Sequence, residues 1–493
     1  MTKTPMLTFM KTFHRLRNLT MNCYYIDFKF LHAAILWLQT IVGLKLFKSI
    51  LIADLDYFFI DRDPKIEFLL HKRFIRSLSA TKSLETLELS CPQDILTPCL
   101  FKRLVNIKNL MLHGSSISPK NALEHKKSFP LMKNLTALEM INIPKISSII
   151  HILASIWNPE RVMCLGFKLC ARNPIDYNSF SQLKWMLRHF RFLKKFSLVI
   201  ENSLINISIL EVLQELPLEE LNLGLTIKEG GYLTPLGSLI GGFKGLKMLK
   251  LTLQTPSNYG EDQNDLVNFL RNIKNLTQLH GLYLHIQRMP IEEIPKTTGV
   301  DKAIFALSEA LLTLKNLIEL DFECSEVSYR GNVKFLVKGL LERAPKMKKF
   351  ALGFNREELT IEDLIEIIQL IREMKDLEEL GLRGLKVLDA KFLLRLWRVI
   401  VEETRLKILD WSRGVIGVNK GFFLEILERT LEKKGIEKFV GNGMAFVGKG
   451  RTEEVIDLVE VVKRNESLKK MEVSGSLKKY LRNQEGFILE KWK

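Results

Sequence analysis

A short apolar pattern, Leu-x-x-Leu-x-Leu, recurs from one end of this chain to the other and leaves few folds open to it. One copy is Leu377-Glu378-Glu379-Leu380-Gly381-Leu382, and it follows a run with helical apolar spacing from Ile361 to Met374. The middle apolar residue of successive copies is Leu19, Ile50, Leu87, Leu110, Leu138, Leu165, Phe196 and Leu221. The series continues through Leu249, Leu282, Leu320, Phe350, Leu380, Leu409, Phe439 and Met471. A single copy would carry little weight, but sixteen at a mean spacing near 30 residues define a repeat array.

Two periods alternate within each unit. In Leu84-Glu85-Thr86-Leu87-Glu88-Leu89 apolar and polar residues alternate, as in a half-buried strand. Between strands the period changes to that of a helix. Leu364, Ile365, Ile368, Leu370 and Ile371 share one stripe, with Glu362, Asp363, Glu366 and Arg372 opposite. Val333, Phe335, Leu336, Leu340 and Leu341 form a second such stripe. Neither element can bury its apolar face alone, so units must stack sideways into one shared core. The sequence therefore predicts an α/β solenoid over residues 1–475, with 476–493 as a C-terminal cap or tail rich in lysine and arginine.

The hexamers and their spacing resemble the leucine-rich repeat family, and the long period is similar to its ribonuclease-inhibitor-like subclass. That resemblance implies a curved horseshoe of about 16 repeats, with a parallel sheet on the concave face and helices on the convex face. It also implies a role in binding other proteins. The family's usual turn Asn or Cys is represented clearly only by Asn355; Pro92, Ser115 and Ser325 stand there in other copies. Spacing stretches to 37 residues between Ile50 and Leu87 and to 38 between Leu282 and Leu320. Polar, Pro- and Gly-rich stretches at 255–263 and 289–299 read as surface inserts near a binding face. GTPase-activating members of the family would need an arginine on the concave rim, and Arg383 is the basic residue among the inward positions of its repeat.

Composition narrows the function classes. The chain is 46% apolar and 26% charged, which suits a large core. Cys23, Cys91, Cys99, Cys164, Cys170 and Cys324 show neither Cys-x-x-Cys nor zinc-site spacing and read as buried thiols in a reducing compartment. Asn18, Asn134, Asn206, Asn275 and Asn465 head glycosylation-type triplets, but three of these are Asn-Leu-Thr within the hexamer itself. The uncharged run from Phe30 to Leu44 is short of the roughly 20 residues of a membrane span. The expected location is cytoplasmic; a basic, acid-free start faintly resembles a mitochondrial transit peptide, but it overlaps the first repeat.

Charge is unevenly placed. The net charge is +17, and residues 1–200 hold 29 Lys/Arg against 13 Asp/Glu. Such asymmetry makes nucleic acid or an acidic surface the alternative partner, with Lys102, Arg103, Lys108, Arg188, Arg191, Lys194 and Lys195 as the candidate basic patch. No aromatic-and-basic interleaving is evident around that charge in the linear sequence. Further along, Lys194-Lys195, Glu219-Glu220, Lys247, Glu319, Asp321, Lys348-Lys349 and Glu378-Glu379 occupy strand positions between the leucines. Neighbouring strands bring such charges within pairing distance, so this face should neutralise itself. His280, Tyr283 and His285 are the departure from that charge pattern and form the candidate recognition patch on the concave face.

Catalytic signatures are sparse. Gly443 to Lys449 fits Gly-x4-Gly-Lys, but Gly450 stands where a phosphate-binding loop needs Ser or Thr for magnesium. Neither Gly-x-Ser-x-Gly nor His-Glu-x-x-His occurs. The sequence thus points to a non-enzymatic scaffold without cofactor or metal. Substituting Leu380→Asp is expected to lower stability by several kcal/mol, because it sets an unpaired charge in the shared core; unchanged thermal melting would contradict the solenoid.

Overall fold

The computed structural model describes residues 18–21, 49–54, 84–90, 106–113, 132–143, 145–156, 158–169, 177–200, 207–227, 231–255, 263–288, 301–325, 327–354, 359–387, 389–416, 436–441, 445–446 and 470–473. The chain divides into two compact units, Met1–Thr226 and Ile227–Lys493.

In the first unit the strands are β1 (Asn18–Met21), β2 (Ser49–Asp54), β3 (Leu84–Ser90), β4 (Asn109–His113), β5 (Ala137–Ile143), β6 (Cys164–Leu169), β7 (Lys195–Ile200) and β8 (Glu220–Thr226). They pair in chain order, all parallel. Helices α1 (Ile146–Leu153), α2 (Tyr177–Leu187) and α3 (Ile209–Gln214) fall between strands from β5 onward.

The second unit repeats the plan with longer helices. Its strands β9 (Met248–Thr255), β10 (Gly281–Arg288), β11 (Glu319–Cys324), β12 (Lys349–Gly353) and β13 (Glu379–Arg383) alternate with α4 (Leu233–Gly241), α5 (Gln263–Ile273), α6 (Lys302–Thr313), α7 (Val333–Leu340) and α8 (Ile361–Glu373). Short strands β14 (Lys386–Val387), β16 (Val415–Ile416) and β18 (Ala445–Phe446) form a second parallel sheet. They interleave with β15 (Ile408–Asp410), β17 (Lys438–Gly441) and β19 (Lys470–Val473), which continue the main ladder; α9 (Ala390–Glu403) precedes β15.

All sixteen residues marked in the sequence fall on strands, and within each unit the register aligns all of them but Ile50. Leu249, Leu282, Leu320, Phe350, Leu380, Leu409, Phe439 and Met471 are successive partners across the second unit. In β2 the aligned residue is Leu51, which pairs with both Leu19 and Leu87, and not Ile50. The β2–β3 pairing also carries a register shift between Ser49 and Ile50.

The ladder is locked where each strand begins. The carbonyl of Met163 accepts from the amides of both Lys194 and Lys195; those of His280, Ile318, Lys348 and Glu378 each accept two amides from the following repeat in the same way. Between ladder and helices lies a continuous apolar layer. Leu282, Leu284 and Ile286 of β10, Ile304 and Leu307 of α6, and Leu320 and Phe322 of β11 are all fully buried.

Helix starts carry a device that apolar periodicity does not reveal. Asp363 is buried, although the helical stripe placed it outward. It closes a capping box with Thr360 and also accepts from the amides of Gly331, at 2.7 Å, and Val333, at the start of the preceding helix α7. Asp265, at the same position of α5, likewise accepts from Leu233 and Thr234 of α4 at 3.0 and 2.6 Å. Asp301 caps α6 and reaches forward to the Ser328 amide at 2.7 Å. Each carboxylate accepts from backbone amides of a neighbouring repeat, and Asp301 and Asp363 also cap their own helices, near the positive helix ends. Meanwhile Ile365 and Leu341, expected inside, are 44% and 48% exposed. Burial follows Ile367, Ile368, Leu370 and Ile371 on α8, and Val333, Leu336, Val337 and Leu340 on α7.

Because Asp363 serves two repeats, Asp363→Ala should cost about 2 kcal/mol or more, measured as a lowered denaturant midpoint. Glu362→Ala, one residue away and exposed, should stay within about 0.5 kcal/mol.

Candidate functional site

Strand pleating divides the second unit's sheet residues between two faces. Leu282, Leu284 and Ile286 turn inward, so Gly281, Tyr283 and His285 share the opposite face. The register sets Lys250, Tyr283, Asp321, Ala351 and Gly381 in one row across β9 to β13. Thr252, His285, Glu323, Gly353 and Arg383 form the next row.

Tyr283 lies at the centre of this face. Its ring takes the ammonium groups of Lys250 and Lys349, at 4.9 and 4.7 Å from the ring centroid. Its hydroxyl donates to Glu319 Oε2 at 2.5 Å. Burial, then this hydrogen bond, push the phenol pKa well above the ordinary tyrosine value, so it stays protonated and donating. Lys349 Nζ also lies 3.6 Å from Asp321 and 3.3 Å from Glu379.

Beside Tyr283 two buried carboxylates gather cations from several strands. Asp321 and Glu323 are 5% and 4% exposed. His285 Nε2 lies 2.8 Å from Asp321 Oδ1, and Arg383 Nη2 donates to the same carboxylate. Arg383 Nε is 3.6 Å from Glu323 Oε2, and Arg413 Nη2 donates to Glu323 Oε1 at 2.6 Å. Burial alone would raise the Asp321 pKa, but the His285 hydrogen bond and the Arg383 charge outweigh it and bring it to about 2.

The crossing of Arg383 from β13 to β11 depends on small residues in the strand between them. A Cβ on Gly353 would lie 2.4 Å from Glu323 Cγ, and one on Gly381 would lie 2.6 Å from Ala351 Cβ. Arg413 reaches its carboxylate from a left-handed backbone position, with φ of 59°. Few non-glycine residues adopt that conformation, and the surrounding structure must hold it.

The structure treats the candidate residues unequally. Tyr283 and His285 are brought together, but both are bonded to acids, and Glu319 and Asp321 are as much part of the cluster as they are. His280 is exposed just before β10, with Nδ1 2.9 Å from the Gln278 carbonyl oxygen, and stays outside this cluster. Arg383 is engaged by two buried carboxylates with its side chain 12% exposed, a poor state for an arginine that must enter another protein's active site. In the basic patch, Lys108 pairs with Glu85 at 2.9 Å, Lys194 with Glu219 at 2.8 Å and Lys195 with Glu220 at 2.6 Å. Arg188 lies 3.8 Å from Glu215. The self-neutralising ladder is thus present, and it absorbs most of the patch's described charge.

Lys102, Arg103, Asn355, the inserts at 256–262 and 289–300, the tail 476–493 and most of the Gly443–Gly450 stretch lie outside the described residues. Among the described residues no group of three or more His, Cys, Asp or Glu is arranged to hold a metal ion. Cys164 and Cys324 form no disulfide among the described residues. No described helix is long and apolar enough to cross a membrane.

No protein-family model and no curated protein matches this chain. Among solved structures, it is similar to a Leptospira interrogans LRR protein at 16% identity and a TM-score of 0.35, covering 82% of this chain and 89% of that one. It is also similar to the yeast Rad7 and Elc1 complex at 16% identity and a TM-score of 0.46, covering 77% and 84%. The fold is of the leucine-rich-repeat type, as the strand register and the strand–helix alternation establish.

The depressed pKa of Asp321 sets a pH dependence. An unfolded aspartate titrates near 3.9, so the stabilisation is complete above about pH 4 and is lost as pH falls toward about 2. Its full size is about 2 kcal/mol. Stability measured across that window should fall steeply in the wild type and less so in Asp321→Asn, which should already be weaker at pH 7.

Proposed function

We propose that this chain is a non-enzymatic scaffold that binds another protein on the solvent face of the second unit's sheet, around Tyr283. One observation carries this reading: an aromatic ring met by two ammonium groups and tied at its hydroxyl, with Ala351 and Gly381 further along its own row and Gly353 in the next. Tyrosine and arginine supply a disproportionate share of binding energy at protein interfaces. A ring already fixed by its neighbours loses little conformational entropy on contact. The acids and bases around it are mutually paired, which suits a mixed polar protein surface better than a uniform polyanion.

Its test is capture of partners from nuclease-treated lysate by the tagged full chain and by Tyr283→Ala and Tyr283→Phe. Alanine should weaken the specific partner roughly tenfold or more, and phenylalanine, which keeps the ring beside the lysines, should weaken it less. Equal capture by all three proteins would remove Tyr283 from the interface. Loss of every partner on nuclease treatment would replace the scaffold reading with a nucleic-acid one.

A further inference from the structure

The first unit brings together aromatic and basic groups that the linear sequence did not show as a set. Core contacts of the α2 repeat come from Phe180, Leu183, Met186, Leu187 and Phe190, all buried. Trp185 lies outside that core and is 62% exposed; Phe192, in the turn before β7, is 57% exposed. Arg188 stands three residues from Trp185 on the helix spacing, and Arg191 follows in the same turn; both are exposed. His189 accounts for one edge of the tryptophan: the rings meet edge to face at 4.5 Å. Its Nδ1 lies 3.1 Å from the Trp185 carbonyl oxygen, which can only accept, so Nδ1 carries the proton and closes the helix end.

Trp185, Arg188, His189 and Arg191 border a cleft of about 510 Å³, whose other wall is the turn containing Asn158, Pro159 and Glu160 in the preceding repeat. Its cations differ from those of the neighbouring ladder. Lys194 and Lys195 have carboxylates at 2.8 and 2.6 Å. Arg188 has its acid at 3.8 Å, with both side chains more than half exposed. Arg191 has no ion-pair partner among the described residues.

We infer that this cleft binds single-stranded nucleic acid, with one base stacked on Trp185 and the flanking phosphates met by Arg188 and Arg191. An exposed indole beside two exposed guanidinium groups, Arg188 only loosely paired and Arg191 unpaired among the described residues, provides both parts of sequence-tolerant strand binding, stacking and backbone charge. Asn158 and Glu160 offer acceptors to base amino groups at the cleft wall. A chain of acidic residues offers no aromatic plane to the indole face, whereas every nucleobase does. The excess of 29 basic over 13 acidic residues in 1–200 supplies an attracting field for a polyanion. This second surface is independent of the Tyr283 face.

The test is fluorescence anisotropy of labelled uridine and thymidine oligonucleotides of about 10 nucleotides with the full chain, from about 50 to 200 mM salt. Wild-type protein should bind at low salt and quench tryptophan emission. Trp185→Ala should weaken binding roughly tenfold while leaving the salt slope unchanged. Arg191→Ala should reduce that slope by about 0.7. Both residues are exposed, so melting temperatures should match the wild type and a folding defect would be visible as a separate effect. Preference for uridine or thymidine oligonucleotides distinguishes RNA from DNA, and either supports the site. Absence of binding to both, or binding that Trp185→Ala leaves intact, overturns the inference; so does equally tight, Trp185-dependent binding of poly-glutamate, which would make the cleft an acidic-peptide site.

Discussion

Parallel pairing of each strand with the equivalent strand of the next repeat governs everything else in each of the two units. A strand with one apolar face and a helix with one apolar stripe are each unstable alone, and the apolar layer closes only when the next repeat is in register. The doubly accepting carbonyls of Met163, His280, Ile318, Lys348 and Glu378 hold that register from strand to strand. Once it is set, every polar strand residue acquires a defined neighbour one strand away. Surface chemistry becomes a matter of rows.

Those rows do different things in the two units. In the first, lysines meet glutamates directly across β7 and β8, and the face neutralises itself with exposed, weakly stabilising pairs. In the second, glycine and alanine interrupt the rows, and long side chains span the gaps. Arg383 crosses β12, and Arg413 reaches Glu323 from beyond β13, so Asp321 and Glu323 can lie nearly buried without being left unpaired. A buried carboxylate with several cations is strongly committed to its surroundings, because losing one partner strands the others. Beside that cluster stands Tyr283, tied at its hydroxyl to Glu319, where the first unit's rows present exposed ion pairs.

Helix packing depends on a similar sharing between repeats. Asp265, Asp301 and Asp363 each accept backbone amides from a neighbouring repeat, so the polar ends of the helices are coupled as well as their apolar faces. The same carboxylates would be ordinary capping residues in an isolated helix. Only stacking makes them connectors.

The hexamer and its spacing were enough to determine that the chain forms strands at these positions, that helices separate them, and that charges such as Lys194 and Glu219 would meet. Period-2 and helical patterns are local, and the fold repeats locally. Tertiary structure decided what spacing could not: that Leu51 and not Ile50 continues the row, that Asp363 turns in while Ile365 turns out, and that Tyr283 and His285 are bound to Glu319 and Asp321. It also gathered Trp185, Arg188 and Arg191 around one cleft with a turn some 25 to 30 residues earlier in the chain. Each of these depends on a neighbour contributed by another repeat, or on the room left by a missing side chain such as that of Gly353. A residue's own period carries its face; the identity and size of what stands beside that face come only from the packed array.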